Sequence, residues 1–577
     1  MTMLTKWGAA LDRSCPLPEY PRPQLRRESF YNLNGVWDYA VTPSGDEPEV
    51  WDGEIVVPFS PEAPLSGAAR GPAKDEYLHY RRGFMLPEGF QKSRVLLHFG
   101  AVDQIAEVFV NGVSAAKHSG GYWPFSADIT SLLREGENIL RVTVRDNADD
   151  PTFAYGKQRY KRGGMWYTAQ SGIWQTVWLE SVPEVYVKSL RITPEFDEAR
   201  VRIELETALE SSAAITCDVR AADGSFVAGS WAKGGVCVVP LPGFRAWTPD
   251  DPYLYTLDIT CGEDHVESYF AMRKFSYVEL GGHKVFGLNN APLFHNGLLD
   301  QGYYPDGLLT PPSDEAMVND IETMKRCGFN MLRKHIKIEP LRWYYHCDRL
   351  GMIVWQDMVS GGQPYSFLHV SALPTLGKVD LPDQDAKPYG RSGVLSRARF
   401  RREMADTVRL LYNCPCIALW TVFNEGWGQF DALDMANELK KLDPTRFIDH
   451  ASGWQDQGYE EMKSRHIYFR PVKLKNDGRA LALTEYGGYI LAVDGHRWTD
   501  KVFGYRICRN SAALAHDYEK LMLGQVLPHI RKEGLTAAVY TQITDVEEEL
   551  NGLMTYDREV LKIPEETLRE INKQLKF

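Results

Sequence analysis

The sequence predicts two antiparallel β-sandwiches followed by a (β/α)8 barrel, and three observations carry that prediction. Short alternating apolar segments, cut by Gly, Pro, Asp and Asn, fill the first part of the chain. The same texture recurs over a shorter second stretch, and beyond "GGHKVFG" apolar strands alternate with amphipathic helical segments. At 577 residues the chain is too long for one hydrophobic core, so several domains are required.

The first sandwich is read from "GVWDYAV", "VLLHFG", "EVFVNG" and "ILRVTVRD", between Asn32 and Glu180. Residues 186–275 repeat the style in "VYVKSLRITPEF", "ARVRIELETAL", "AITCDVRAADG" and "YLYTLDITC", a length that suits an immunoglobulin-like sandwich. The barrel strands are predicted in "APLFHNG", "FNMLRKHI", "MIVWQDM", "CIALWTVFNE", "RFIDHAS", "RHIYF", "ALALTEYGG" and "AVYTQITDV". Helical periods fall at 314–327, 339–350, 396–412, 430–442 and 511–532, with some helices poorly defined after strands five and six. Ser313 is a predicted N-cap, and Gly328 a helix stop. Residues 360–395 form a long polar loop after strand three, expected to shape a pocket. The expected domain limits are 1–185, 186–277 and 278–577.

Composition narrows the function classes. A net charge of −12 argues against a nucleic-acid groove or an anionic membrane surface as partner. No stretch reaches the roughly 18–20 apolar residues of a membrane span, and the N-terminus lacks the apolar core of a signal peptide. Nine cysteines at irregular spacing read as free thiols in a reducing, cytoplasmic setting. The 12% aromatic content fills large cores first, and lends weak support to a sugar-binding cleft.

The chemistry is read from strand ends. In a barrel of this kind the C-terminal ends of the strands face the active site, where a polar side chain escapes the penalty of the core. "WTVFNEGWG" leaves strand four with Asn424 and Glu425, and "ALALTEYGG" ends strand seven with Glu485. Two carboxylates across one mouth are what glycoside cleavage needs: one protonated to help the leaving oxygen depart, one ionised to attack the anomeric carbon. Asn424 offers an amide to a sugar 2-hydroxyl, and Tyr468, at the end of strand six, a hydroxyl to Glu485. Arg333 and His335 end strand two, Asp357 ends strand three beside a core-type Trp355, and Asp300 follows strand one, where an Asx-turn competes with substrate contact. His346 and Cys347 are read as packing residues. Asp545 and Glu547 to Glu549 are read as a solvated acidic turn in preference to a cation loop, so no metal site and no cofactor is expected.

The chain resembles glycoside hydrolase family 2, the group of β-galactosidases, β-glucuronidases and β-mannosidases, over nearly its whole length. "NLNGVWDYAV", "YRRGF", "VFVNG" and "SGIWQTVWLE" look like the family's N-terminal jelly roll. "DIETMKRCGFNMLRKH", "WYYHCDRLGMIVWQD", "WTVFNEGWG" and "LTEYGG" look like its barrel segments. The resemblance implies Glu425 as general acid/base and Glu485 as nucleophile of a retaining exo-glycosidase. It implies a β-galactoside as the default substrate, with a β-mannoside, an α-L-arabinoside or a β-hexuronide, or a catalytically silent carbohydrate-binding protein, as alternatives. A small carbohydrate or glycoconjugate is the implied partner, and an oligomer of identical chains the implied assembly. Three departures bear on the sugar. No Asn is followed two positions later by Lys, the pair with which family glucuronidases grip a carboxylate; Thr541 and Gln542 stand where a tryptophan is usual; and Gly163 and Gly164 replace an acid of the first domain. The histidine after Arg333 also comes one residue earlier than in the family's Arg-x-x-His spacing.

Overall fold

The computed structural model describes residues 3–209, 214–232, 234–376 and 380–577. The N-terminal sandwich pairs a six-stranded antiparallel sheet with a four-stranded one. Alternation decides what lies between them: along Asn138–Arg145 the side chains of Leu140, Val142 and Val144 enter the core with Val95, Leu97 and Leu179. The second sandwich packs a three-stranded sheet on a four-stranded one around Val201, Ile203, Cys217, Leu257 and Ile259.

Eight parallel strands then form the barrel: His295–Asp300, Met331–Lys334, Ile353–Asp357, Ile417–Thr421, Phe447–Asp449, Met462–Ile467, Ala480–Gly487 and Leu535–Thr541. Five lie within the segments expected from the sequence, while the first begins and ends later than expected and the sixth and eighth begin and end earlier. In barrel numbering the hydrogen-bonded order runs five, four, three, two, one, eight, seven, six, and among the described residues no ladder joins strands five and six. Strands three and four are buried at every position, as expected of strands covered on both faces.

The helix after strand two's predecessor shows how local signals phase the barrel. Asp314–Arg326 is capped by Ser313, whose hydroxyl accepts from Ala316 N at 3.3 Å; acids occupy its first turn and Lys325 and Arg326 its last. Gly328 follows at φ +88°, a conformation that favours glycine. No helix follows strand five or six among the described residues, where the sequence pattern is weakest, and the last long helix is interrupted by a π-helical stretch at Met522–Val526. No helix of the described chain is long and apolar enough to cross a membrane, and the cysteines among the described residues are unpaired.

A hairpin, Phe275–Leu280 with His283–Leu288, spans the expected junction of the second sandwich and the barrel. It closes the barrel floor: Phe286 is fully buried, stacks on Phe447 at 4.3 Å, and joins Met331, Trp355, Ala418 and Val539. Trp355 is therefore core, with its indole N–H donated to His295 Nδ1 at 3.0 Å. Removing the Phe286 ring leaves a cavity that rigid strands cannot fill. Phe286→Ala is expected to lower barrel stability by about 3–5 kcal/mol, seen as a lower melting temperature in calorimetry.

The N-terminal sandwich is bolted to the barrel mouth. Tyr155 N and Gly156 N both donate to Ser360 O, at 3.1 and 2.9 Å, in the loop after strand three. Ala154 bridges Gly361 as a strand pair would, and the Tyr155 hydroxyl donates to Gly362 O at 2.7 Å. Beneath this seam the Gln158 side chain donates to Asp103 Oδ2 at 3.0 Å and accepts from Gln170 N at 2.8 Å. Burial pushes Asp103 up to about 7, and Glu62, held by Ser171, is likewise pushed up to about 7 by burial. A carboxyl raised in the folded state contributes stability that is fully present below its unfolded value near 4 and is lost as pH rises through about 7. Asp103→Asn is expected to shrink the fall in melting temperature between pH 5 and pH 8.

Candidate active site

Each site residue stands where a strand stops. Strand four ends at Thr421, and the chain then turns through Asn424, Glu425 and Gly426. Glu425 sits in the left-handed region at φ +53°, an uncommon place for a side chain with a Cβ. The turn is held from outside: Glu425 N donates to Ser452 O at 2.9 Å, Trp427 N to Asn424 O at 3.0 Å, and the Trp454 indole to Glu425 O at 2.9 Å. Glu485 lies within strand seven, buried on every side.

Arg333 organises the centre. Its side chain has no solvent exposure, and its guanidinium forks onto Asp357, with Nε to Oδ1 at 3.0 Å and Nη2 to Oδ2 at 2.9 Å. The remaining N–H groups reach Glu485 Oε1 at 3.1 Å, Thr484 O at 3.1 Å and Asn424 Oδ1 at 2.8 Å. Because Asn424 spends its oxygen on Arg333, its amide nitrogen is the group left to donate to a ligand. The Tyr468 hydroxyl donates to the other oxygen of Glu485 at 2.5 Å.

His466 joins the two glutamates. Its Nδ1 lies 2.8 Å from Glu425 Oε1 and 3.6 Å from Glu485 Oε2. One carboxylate oxygen of each glutamate and a ring nitrogen of His466 all fall within 4.8 Å of one another. His466 Nε2 lies 3.2 Å from Ser452 Oγ, which itself donates to Thr484 Oγ1 at 3.0 Å, and 3.5 Å from Arg333 Nη1. Burial pushes His466 down to about 3, which keeps the ring neutral.

The two glutamates therefore differ. Burial raises both. Glu485 is opposed at contact distance by Arg333 and Tyr468, which favour its ionised form. Glu425 meets only a neutral imidazole at contact distance, and feels Lys157 and Arg333 through space.

The residues named from the sequence sort as follows. Glu425, Glu485, Asn424, Arg333, His335, Tyr468 and Asp357 converge. His335 Nε2 lies 3.7 Å from Glu485 Oε1, while its Nδ1 pairs with Gln301 Oε1 at 2.9 Å; burial drives it far below the usual histidine range. Asp357 holds Arg333 and offers no free oxygen. Asp300 does not join the cluster as a free group. One of its oxygens accepts from Gly302 N at 2.9 Å, the Asx-turn, and the other from Lys334 Nζ at 2.6 Å, because strand one's end is spanned by the Lys334–Glu339 ion pair. His346 and Cys347 are buried in their helix, with His346 against Asp314.

The acidic stretch after strand eight is not a solvated turn. Asp545 is buried on Lys562 at 2.6 Å, Glu547 accepts from Thr168 N at 2.8 Å, and Glu549 accepts from the Tyr167 hydroxyl at 2.6 Å. The N-terminal sandwich covers these acids, which no local sequence signal reveals. In the loop after strand three, residues 377–379 lie outside the described residues. Around them Gln455 Nε2 donates to His369 O at 2.8 Å, and the Leu381 N–H donates to Gln455 Oε1 at 2.8 Å, so the loop packs on the turn after strand five.

The site also holds residues that the sequence reading missed. His466 lies in the last two residues of strand six, two positions before Tyr468, which follows the strand's end, and the two-residue spacing puts both side chains toward the site. Tyr505 stacks on Tyr468 with ring centres 3.9 Å apart, and Trp166 meets Trp427 edge-on at 5.0 Å. Both come from distant segments, and only folding brings them in.

A barrel mouth with two buried glutamates facing each other, backed by two sandwiches, defines the glycosidase class of architecture. The comparisons with known proteins agree and name the family. The description "Glycosyl hydrolases family 2, sugar binding domain" matches residues 64–183, "Glycosyl hydrolases family 2" residues 185–273, and "Glycosyl hydrolases family 2, TIM barrel domain" residues 311–474. The chain belongs to glycoside hydrolase family 2. It is 25% identical over 387 residues to a β-galactosidase of Thermoanaerobacter pseudethanolicus, covering 64% of this chain and 47% of that one. It is 22% identical over 535 residues to a β-glucuronidase of Paenibacillus borealis, covering 82% and 85%. Among solved structures, a β-glucuronidase of an uncultured Clostridium shares the fold, with a TM-score of 0.74 at 19% identity over 96% of this chain and 99% of that one. The chain spans about half the length of the first curated relatives it matches.

Proposed function

We propose that this protein is a retaining exo-glycoside hydrolase that removes one terminal sugar by double displacement. The observation that carries the reading is the pair itself: a carboxylate oxygen of Glu425 and one of Glu485 lie within 4.8 Å. Retaining glycosidases hold their carboxyl groups about 5–5.5 Å apart, whereas inverting ones leave about 6.5–9.5 Å for an intervening water. In the first step Glu485 attacks the anomeric carbon while Glu425 gives its proton to the departing oxygen. In the second, Glu425 takes a proton from water, the water attacks the same carbon, and Glu485 leaves. Asn424 Nδ2 supplies the hydrogen bond to the sugar 2-hydroxyl that strengthens as positive charge develops on the ring.

A β-galactoside is the substrate carried by the family resemblance. A β-mannoside and an α-L-arabinoside are served by the same pair, and a β-hexuronide is the reading that a cation at the mouth favours. The test is a panel of p-nitrophenyl β-galactoside, β-glucuronide, β-galacturonide, β-mannoside, β-fucoside and α-L-arabinoside, with Glu485→Gln as control. Nuclear magnetic resonance of the first-formed sugar reads the stereochemistry. Appearance of the inverted anomer first, or equal turnover by the control, overturns the proposal.

A further inference from the structure

We propose that Lys157, carried by the N-terminal sandwich, recognises an anionic group on the substrate: a carboxylate, or a sulfate ester, on the glycoside that the barrel cleaves. The inference rests on the hydrolase reading above and names its substrate class.

The position of Lys157 is fixed by the seam between the domains. The residues before it are tied to Ser360 and Gly361, Tyr167 N donates to Lys157 O at 3.0 Å, and Gln158 is locked between Asp103 and Gln170. Gly156, at φ +64°, lets the chain press onto the residue after His335: a Cβ there would stand 3.0 Å from Ile336 O. The lysine side chain is thereby aimed over the ends of strands two and four. Lys157 is only 8% exposed, yet among the described residues its ammonium makes no hydrogen bond and no ion pair. The contact it has is the ring of Trp166, 5.4 Å away. Its nitrogen is not among the sealed polar atoms, and its charge is felt through space by Glu425, His335 and His466 at the mouth. A buried lysine is ordinarily paired, and one left unpaired is a destabilising feature that a ligand can relieve.

Charge balance around the mouth shows what is lacking. Glu485 is answered by Arg333 and Tyr468, and Asp357 by the other edge of Arg333. His335 and His466 face Lys157 as rings that burial keeps neutral, and Glu425 faces it as a carboxyl that burial pushes up and that lies 2.8 Å from His466 Nδ1. On the sandwich side Arg159 lies over Trp166 and pairs with Asp149, and Arg162 pairs with Glu547. Glu549, further round the mouth, is held by Tyr167 and Asn551. In the state that receives substrate, Lys157 is thus a cation without a counter-ion among the described residues. Lys157 is also the strongest neighbouring charge acting on Glu425, and draws it toward the ionised form. An anion bound at Lys157 cancels that field, so an acidic substrate keeps its own general acid protonated.

The experiment uses the full chain, with Lys157→Met, which keeps the stem and drops the charge, and Lys157→Arg, which keeps the charge. Values of kcat and KM are measured on p-nitrophenyl β-glucuronide, β-galacturonide and 6-sulfo-β-galactoside, and on the neutral β-galactoside and β-glucoside. The uronide and sulfate arms separate the two sources of the anion. Lys157→Met is expected to lower kcat/KM on the preferred acidic glycoside about 10–100-fold, mainly through KM, to change the neutral ones less than about threefold, and to be partly rescued by Lys157→Arg. Calorimetric binding of free glucuronate, galacturonate and galactose to the Glu485→Gln protein gives a readout independent of turnover. Equal losses on acidic and neutral glycosides, or uronate binding unchanged by Lys157→Met, overturn the inference. Hydrolysis of neutral glycosides with no preference for any anion overturns it while sparing the hydrolase reading. Uronate binding that depends on Lys157, with no glycoside cleaved, does the reverse.

Discussion

Replacing Glu485 with glutamine is expected to reduce kcat on the preferred glycoside by on the order of 10⁴-fold or more, with substrate binding retained. The amide cannot form the glycosyl ester, yet it keeps the shape of the carboxylate: its oxygen can still accept from Arg333 while its NH2 group donates to the Tyr468 oxygen. The measurement is steady-state hydrolysis together with calorimetric binding of a non-hydrolysed sugar. A sharper form uses Glu485→Ala with added azide. The small anion enters the vacated space and attacks from the nucleophile's side, so the product is the glycosyl azide of inverted configuration. An azide product that retains the configuration assigns the nucleophile to the wrong glutamate.

The second large effect belongs to Glu425→Ala, and its size depends on the leaving group. An alkyl glycoside, whose oxygen must be protonated to depart, is expected to lose about 10²–10⁴-fold in kcat/KM. A dinitrophenyl glycoside, whose oxygen departs unaided, loses far less in the first step and accumulates as the glycosyl-enzyme. The pH profile carries the sign. Burial raises the Glu425 carboxyl above its ordinary range, and the protonated form is the one required, so wild-type activity falls as pH rises through that raised value. The variant is expected to lose this alkaline limb. A limb that persists unchanged in Glu425→Ala belongs to some other group.

Much of this centre is legible in the chain because barrel geometry repeats. A strand is buried along its length and exposed to chemistry only at its C-terminal end, so a carboxylate that closes an apolar run, as Glu425 and Glu485 do, marks the mouth. Arg333, Asp357 and Tyr468 follow from the same rule. Asp300 obeys it too, yet its oxygens are engaged, because Lys334, its neighbour across the ladder between strands one and two, pairs with its carboxylate. Whether a strand-end acid is free depends on which cation stands beside it, and that is a property of the register.

The limits of the sequence appear where two distant segments share one charge. Asp545 and Glu547 to Glu549 read locally as a wet acidic turn; in the fold Asp545 is buried on Lys562, and the three glutamates are the surface on which residues 162–168 of the first sandwich rest. Nothing in the local sequence singles out Lys157, which becomes a buried cation because Ser360 and Gly361 draw its loop across the barrel.

The sequence by itself determined the order of the domains, the eight strands and the two acids that end strands four and seven, because periodicity and capping are short-range effects. Tertiary structure alone set a histidine against Glu425 and an arginine and a tyrosine against Glu485, and so gave the two acids different surroundings. It alone brought a lysine from another domain over the pair, since electrostatic environment is summed over everything within a few ångströms in space, whatever its distance along the chain.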